Sequence, residues 1–207
     1  MLFSKEIAMR NIFYFMLIFF VSGLSYAEDA PFGLKWGASP QELKNLNLKK
    51  ESSDANTTIY STVTPPKNIS IASEYYLIFD NEIQLQKIIM ISKNIDNDTY
   101  GINGKEVYEK IKLGLKSKYD DPTSSYEQTG LKLYKDNDEF YQCLKYDGCG
   151  NWISIFKDQQ SGTSIVLELN GISRGTGFIK LTYESSHWGD VVDKHDAIKT
   201  KSDNNSL

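Results

Sequence analysis

The chain has 207 residues, a formal net charge of −4, 40% hydrophobic residues and 24% charged residues. These values are typical of a globular protein and exclude collagen, a coiled coil and wholesale disorder. Without a basic excess the chain is poorly suited to neutralising phosphates, so we do not expect a nucleic acid as its partner.

Residues 1–27 have the three parts of a secretory signal peptide. Lys5 and Arg10 form a basic region, and an apolar run follows over residues 12–21. Ser25-Tyr26-Ala27 then supplies small residues at a cleavage site. The apolar run is shorter than the roughly 20 residues of a membrane-spanning helix, which disfavours the alternative of an uncleaved anchor. We expect cleavage after Ala27, export to the bacterial periplasm and no membrane insertion afterwards.

Cys143 and Cys149 are the two cysteines of the chain. Because disulfides persist in an oxidising compartment, we predict a disulfide that closes the loop between them. The alternative is a metal site formed by the two cysteines with His187 and His195, whose spacing matches no known zinc pattern. We therefore expect no metal ion and no other cofactor.

The first half of the chain predicts one short helix followed by strands. A capping box at Ser39 and Glu42 starts a helix that runs to about Leu46, with Leu43 and Leu46 facing the core. Runs of β-branched and apolar residues predict strands over 57–63, 74–79 and 83–91.

The second half predicts a longer helix and then a β-meander. The helix opens at Asn103, and Val107, Ile111 and Leu115 recur at the spacing of one helical face. Strands are predicted over 131–134, 140–146, 151–156, 163–169 and 178–183. The chain becomes polar after Trp188, and residues 199–207 carry no apolar pattern, so we predict that the tail over 191–207 is disordered.

Together these elements predict an α+β fold with two helices packed on an antiparallel sheet and a β-rich C-terminal half. Residues 28–190 are expected to form a single domain. The order of a helix followed by strands occurs twice, over 31–100 and 101–190, so two similar halves are an alternative organisation.

The segment Phe32-Gly33-Leu34-Lys35-Trp36-Gly37, followed by Ser39-Pro40-Gln41-Glu42, resembles the opening of many small exported bacterial proteins. Those proteins later carry a helix that ends in a Lys-Tyr-Gly-x-Pro turn. Here Lys118-Tyr119-Asp120-Asp121-Pro122 stands at that place, with two aspartates instead of the glycine. The order of elements is also similar to that of β-lactamase inhibitor proteins and outer-membrane-assembly lipoproteins. The resemblance implies an α+β fold and residence in the cell envelope, and it brings no catalytic residue.

The motifs that could carry chemistry have simpler structural interpretations. The chain lacks a Gly-x-Ser-x-Gly nucleophile motif, and both histidines lie in or near the polar C-terminal segment. The acidic segment 136–139 lacks the glycine and the distal glutamate of a calcium loop. The glycine-rich segment 173–177 precedes a strand and not a helix, which disfavours a phosphate site. We therefore predict that the protein is not an enzyme.

Aromatic residues around the two cysteines are the remaining signal. Tyrosine and tryptophan supply rigid contact area at protein interfaces, although they are also common in strands. The predicted partner-binding residues are Tyr141, Tyr146, Asp147, Trp152 and Arg174. The expected function is that of a periplasmic inhibitor or immunity protein that binds an envelope-acting enzyme or toxin. A structural or assembly factor of the envelope is the alternative, and a hydrolase with an unrecognised site is the third hypothesis.

Mass spectrometry of the exported protein tests the predicted compartment. We expect a chain that starts near Glu28 and is lighter by two hydrogens than its reduced form, because export brings both cleavage and oxidation. A chain that starts at Met1, or one with two free thiols, would contradict this prediction.

Overall fold

The computed structural model describes residues 28–205, so the predicted signal peptide lies outside the described residues. The strands are β1 (Lys49–Ser53), β2 (Thr57–Thr62), β3 (Ala72–Asp80), β4 (Gln84–Ser92), β5 (Ser124–Gln128), β6 (Asn151–Lys157), β7 (Ser164–Ser173) and β8 (Thr176–Glu184). The α-helices are α1 (Ile102–Tyr119), α2 (Phe140–Lys145) and α3 (Trp188–Asn205). Short 3-10 turns span Pro31–Gly33, Lys44–Leu46 and Asn137–Glu139.

The strands form one antiparallel sheet in the order β1-β2-β3-β4-β8-β7-β6-β5. Each half of the sheet is a four-stranded meander, and the two meanders meet where β4 pairs with β8. The predicted α+β class is confirmed. However, four strands come from each half of the chain, and the described residues hold three α-helices where two were predicted.

One face of the sheet, here called the core face, carries the hydrophobic core. Alternate residues of the four central strands are at most 5% exposed; they are Tyr75, Leu77, Phe79, Leu85, Ile88, Met90, Ile165, Leu167, Leu169, Ile179, Leu181 and Tyr183. Burying one such side chain contributes about 1.5–3 kcal/mol. The strands predicted over 74–79 and 163–169 are confirmed, and they bury alternate residues in this core.

The segment before β1 covers the first half of the core face. Trp36 is buried and its Nε1 donates to Thr163 Oγ1 over 3.3 Å. The predicted capping box forms, since the Ser39 backbone N–H donates to Glu42 Oε2 over 2.7 Å. The predicted helix to Leu46 does not form. The chain turns at Asn47 with a φ of 51°, so it completes only turns and a 3-10 turn before β1.

Helix α1 confirms the second predicted helix and covers the other half of the core face. Tyr108 is fully buried and Leu115 is 6% exposed, whereas Val107 and Ile111 are only partly buried against the core. The buried stripe is therefore centred on Gly104, Tyr108 and Leu115. The sequence predicts instead a buried stripe of Val107, Ile111 and Leu115.

The predicted strands over 131–134 and 140–146 are wrong. The first segment is a loop, and the second forms helix α2. Asp136 and Glu139 cap each other's backbone N–H groups and start a helical turn there. The aromatic residues that follow have a β-propensity, but local capping and burial against β7 decide the conformation.

The sequence gives no hydrophobic signal for β1 and β5, because both are edge strands. The five residues of β1 are exposed, and so are four of the five residues of β5. Polar side chains at the edges of a sheet oppose pairing with further strands, so the hydrophobic pattern that marks a central strand is missing.

The predicted disordered tail forms helix α3 through Asn205. Val191 is buried, and its carbonyl accepts a hydrogen bond from Asn56 Nδ2 over 3.2 Å. Lys194 Nζ lies 2.8 Å from Glu82 Oε1 at the β3–β4 turn. These contacts to distant residues hold a helix whose own sequence has little apolar character.

Two glycines of α1 provide a matched test of the packing beneath the helix. A Cβ atom at Gly104 would collide with the Tyr141 hydroxyl, whereas a Cβ at Gly114 would meet nothing within 4 Å. Gly104→Ala should therefore destabilise the fold by about 1–3 kcal/mol. Gly114→Ala should stabilise it by up to about 1 kcal/mol, because alanine is the better helix former. Urea unfolding measures both, and an equal effect of the two substitutions would contradict this packing.

Candidate functional site

Cys143 and Cys149 form a disulfide with sulfurs 2.10 Å apart, which confirms the predicted pair. The bond connects the last turn of α2 to the segment that leads into β6. The Cys149 backbone N–H donates to the Tyr146 carbonyl over 3.0 Å, so a tight turn lies between the cysteines. The closed loop therefore extends a helix and is not the tip of a β-hairpin.

The disulfide also holds the preceding loop. The Gly130 backbone N–H lies 3.1 Å from Cys143 Sγ, and the Leu131 N–H donates to the Cys149 carbonyl over 2.8 Å. Residues 129–149 thus form one connected unit, which we call the cystine lobe.

The cystine lobe presents apolar side chains to solvent. Leu131, Leu133 and Tyr146 are 47%, 50% and 46% exposed. The ring of Tyr134 contacts that of Tyr146 edge to face at 6.0 Å between centroids. Exposed apolar residues grouped on one unit are typical of a contact surface.

Of the five predicted partner-binding residues, three are exposed, one is partly buried and one is fully buried. Tyr146 and Asp147 are exposed at the end of the cystine lobe. Trp152 is partly buried, and its ring packs edge on against Phe140 at 5.3 Å. Arg174 is exposed beside the lobe and forms an ion pair with Asp138.

Tyr141 requires a correction, because it is fully buried and cannot touch a partner directly. Its hydroxyl donates to Asp98 Oδ2 over 2.8 Å, and the Gly104 backbone N–H donates to the same oxygen over 2.8 Å. Burial, together with Asp98, raises the pKa of the Tyr141 phenol. Its ring covers Gly177, where a Cβ would collide with it. Tyr141 therefore anchors the cystine lobe to the sheet and to α1.

The side of the sheet opposite the core face, here called the open face, was not singled out by the sequence. The register aligns Tyr76, Ile89, Thr182, Val166 and Ile155 in one row across β3, β4, β8, β7 and β6. Thr182 is buried within the row, and the other four side chains are partly exposed. Four apolar residues thus lie along a single line across the middle of the sheet.

Ion pairs flank this apolar row on both sides. Lys87 Nζ lies 2.6 Å from Glu184 Oε1, and Lys180 Nζ lies 2.9 Å from Glu168 Oε2. Each pair joins neighbouring strands, so the four charges beside the row neutralise one another within the chain.

A polar cluster lies beneath α1 and has no signal in the sequence. The Tyr108 hydroxyl donates to Ser154 Oγ over 2.7 Å, and Ser125 Oγ donates to Glu127 Oε1 over 2.8 Å. Lys112 forms an ion pair with Glu127. These residues come from three separated elements and share no local motif, so no sequence pattern could reveal the cluster.

The polar cluster is better suited to structure than to catalysis. Burial opposes the charge of Glu127, but hydrogen bonds from Lys112 and Ser125 outweigh burial and lower the pKa of Glu127. A carboxylate with a lowered pKa is a weak general base. Ser154, one of its two serines, is fully buried.

Comparison of the chain with protein-family models, curated proteins and solved structures found no match. Among residues 28–205 no group of three or more His, Cys, Asp or Glu side chains could hold a metal ion. In the same part of the chain, no helix has the length and apolarity needed to span a membrane.

The lowered pKa of Glu127 predicts a pH-dependent contribution to stability. A carboxyl whose pKa is lower in the folded state stabilises the fold above its unfolded pKa, and this contribution is lost as the pH falls through the folded pKa. The difference in unfolding free energy between the wild type and Glu127→Gln should therefore shrink on acidification from about pH 7 to about pH 3. Urea unfolding at both pH values measures it.

Glu106→Gln is the control, because Glu106 lies on the exposed side of α1. Its difference from the wild type should stay small at both pH values. A Glu127→Gln difference that does not change with pH would show that the ion pair contributes nothing through its charge.

Proposed function

We propose that the protein is an exported, non-enzymatic binding module that inhibits an enzyme or toxin acting in the cell envelope. The observation that carries this proposal is the apolar row on the open face, from Tyr76 through Val166 to Ile155. In an antiparallel sheet that packs on one side, the other side is normally polar. Here isoleucine, valine and tyrosine occupy positions where water would favour charged or hydroxyl side chains.

The composition of the open face also supports a partner with an apolar surface. Lys87 with Glu184 and Lys180 with Glu168 already satisfy one another, so docking over the apolar row leaves none of these four charges unpaired. An unpaired charge at an interface is costly, whereas pre-formed pairs at its margin cost little. A flat apolar strip with neutralised margins is the pattern of an interface core and its rim.

Rigidity supports an inhibitory role within this class. The residues of the open face lie on the strands of one hydrogen-bonded sheet, so their backbone is ordered before any partner arrives. Pre-organisation lowers the entropy lost on association, which favours tight binding at a given interface area. The disulfide fits a protein that works in an oxidising compartment.

Substitutions on the open face test the proposal. The partner is captured by crosslinking in a periplasmic extract of the producing cell and purified, and its activity and affinity for the mature chain are measured. Ile89→Ser and Val166→Ser should each weaken binding, by about 2 kcal/mol or roughly thirtyfold at a central anchor. Inhibition of the partner should weaken in parallel, because water and a hydroxyl replace the buried apolar contact.

Leu113→Ser is the matched control, because Leu113 is 64% exposed on α1 and lies away from the open face. It should bind like the wild type. If Ile89→Ser and Val166→Ser also bind like the wild type while Tyr146→Ala does not, the interface is the cystine lobe and not the open face. A captured protein that keeps full activity in the complex would contradict the inhibitory role.

A further inference from the structure

We propose that a cleft between α1 and the cystine lobe is a second binding site, for a carboxylate flanked by apolar side chains on a protein segment. The cleft has a volume of about 420 Å³ and lies between the start of α1 and residues 129–137. This volume is within the range of pockets that hold a small ligand. The site lies outside the open face, and its occupation does not depend on the function proposed above.

The first observation is a half-buried cation in the wall of the cleft. Lys105 Nζ lies 4.1 Å from the centre of the Phe140 ring and 5.0 Å from that of Trp152. None of the ion pairs formed among residues 28–205 includes Lys105. Asp98 is the nearby acid, and its Oδ2 already accepts hydrogen bonds from Gly104 and Tyr141.

A second cation increases the positive charge of the cleft. Lys135 lies in the opposite wall and also has no ion pair within the described residues. Asp136 is the one acidic residue of the lining, and its side chain is engaged in capping the turn at Glu139. Two lysines and one engaged carboxylate therefore line the cleft, and an anion entering it gains attraction from both ammonium groups.

Burial strengthens the attraction at Lys105. Desolvation lowers the pKa of this ammonium, against the opposing effect of Asp98. An arriving carboxylate would replace the hydration that Lys105 has lost with a charge-assisted hydrogen bond. The ammonium also rests on the rings of Phe140 and Trp152, and Phe140 lines the cleft together with Lys105.

The margins of the cleft select the kind of molecule that carries the anion. Tyr100 and Ile102 are 57% and 66% exposed on the α1 side, and both line the cleft. Leu131 and Leu133 do not line the cleft, but they are similarly exposed on the cystine lobe and follow or precede the lining residues Gly130 and Tyr134 in the chain. A free inorganic anion or a sugar gains nothing from exposed aliphatic side chains, whereas a polypeptide with apolar residues beside an acidic one does.

The test presents a library of random heptapeptides to the immobilised mature chain. The enriched peptides should carry an aspartate, a glutamate or a C-terminal carboxylate next to aliphatic or aromatic residues. A synthetic peptide of the enriched sequence should lose about tenfold or more in affinity for Lys105→Met, because methionine keeps the packing and removes the charge. Raised salt should weaken wild-type binding in the same direction.

Lys110→Met is the matched control on the same helix, because Lys110 is exposed and lies outside this cleft. It should bind the peptide like the wild type. Replacing the peptide's acidic side chain by its amide, or amidating its C-terminus, distinguishes the two sources of the carboxylate. Loss of binding with either change supports the site and identifies the carboxylate that occupies it. Unchanged binding with both changes would contradict it.

Several results would overturn the proposal. They are a failure to enrich any peptide, enriched peptides without a carboxylate beside apolar residues, and unchanged affinity for Lys105→Met. Displacement of the peptide by an equal concentration of free acetate would also contradict it, because the site would then bind a simple anion without the flanking apolar residues. Ile89→Ser should leave peptide binding intact, so failure of the cleft and failure of the open face give different results.

Discussion

The antiparallel pairing of β4 with β8 is the interaction on which the rest of the structure depends. Each meander alone has four strands, and only this pairing combines them into one sheet. On the core face it places Ile88 beside Tyr183 and Met90 beside Leu181. On the open face it places Ile89 beside Thr182 and so makes the apolar row continuous. The core and the proposed interface thus depend on the same set of hydrogen bonds.

A bulge at Gln86 determines which side chains β4 presents to each face. Ile78 pairs with Lys87 and Phe79 pairs with Leu85, so Gln86 is an extra residue in the strand. Strict alternation would put Leu85 and Lys87 on the same face. The bulge instead sends Leu85 into the core and Lys87 to the ion pair with Glu184, which shows why alternation read from sequence fails locally.

The parts of the fold that the sequence could predict are those whose signal is local and strong. The periodicity of α1, the β-branched runs of the central strands and the pair of cysteines behind a predicted signal peptide each indicate their own structure. Strands β1 and β5 are polar edges, and α3 is held by contacts to Asn56 and Glu82 that lie far away in the chain. The formation of β1, β5 and α3 depends on tertiary contacts, and these cannot be recognised from a local sequence pattern.

The same distinction holds for the candidate surfaces. Tyr146 and Asp147 could be placed at an exposed turn because an Asp-Gly pair beside a cysteine is a local signal. Tyr141 shares the aromatic character of its neighbours, and only the glycines beneath its ring reveal that it is buried. The open face required the register of five strands, since β4 is apolar on both sides and its sequence does not distinguish the core from the surface.

The two proposed surfaces lie on opposite sides of the sheet, which limits how they can be used. Helix α1 packs on the core face through Tyr108, and Tyr141 of the cystine lobe covers Gly177 on that same face. The cleft between them therefore opens on the side away from Val166 and Ile89. We therefore expect that a compact partner seated on the open face does not contact Lys105 at the same time. Occupation of both surfaces requires two partners, or one partner with an extended segment that passes around an edge of the sheet. The exposed polar strands β1 and β5 form those edges.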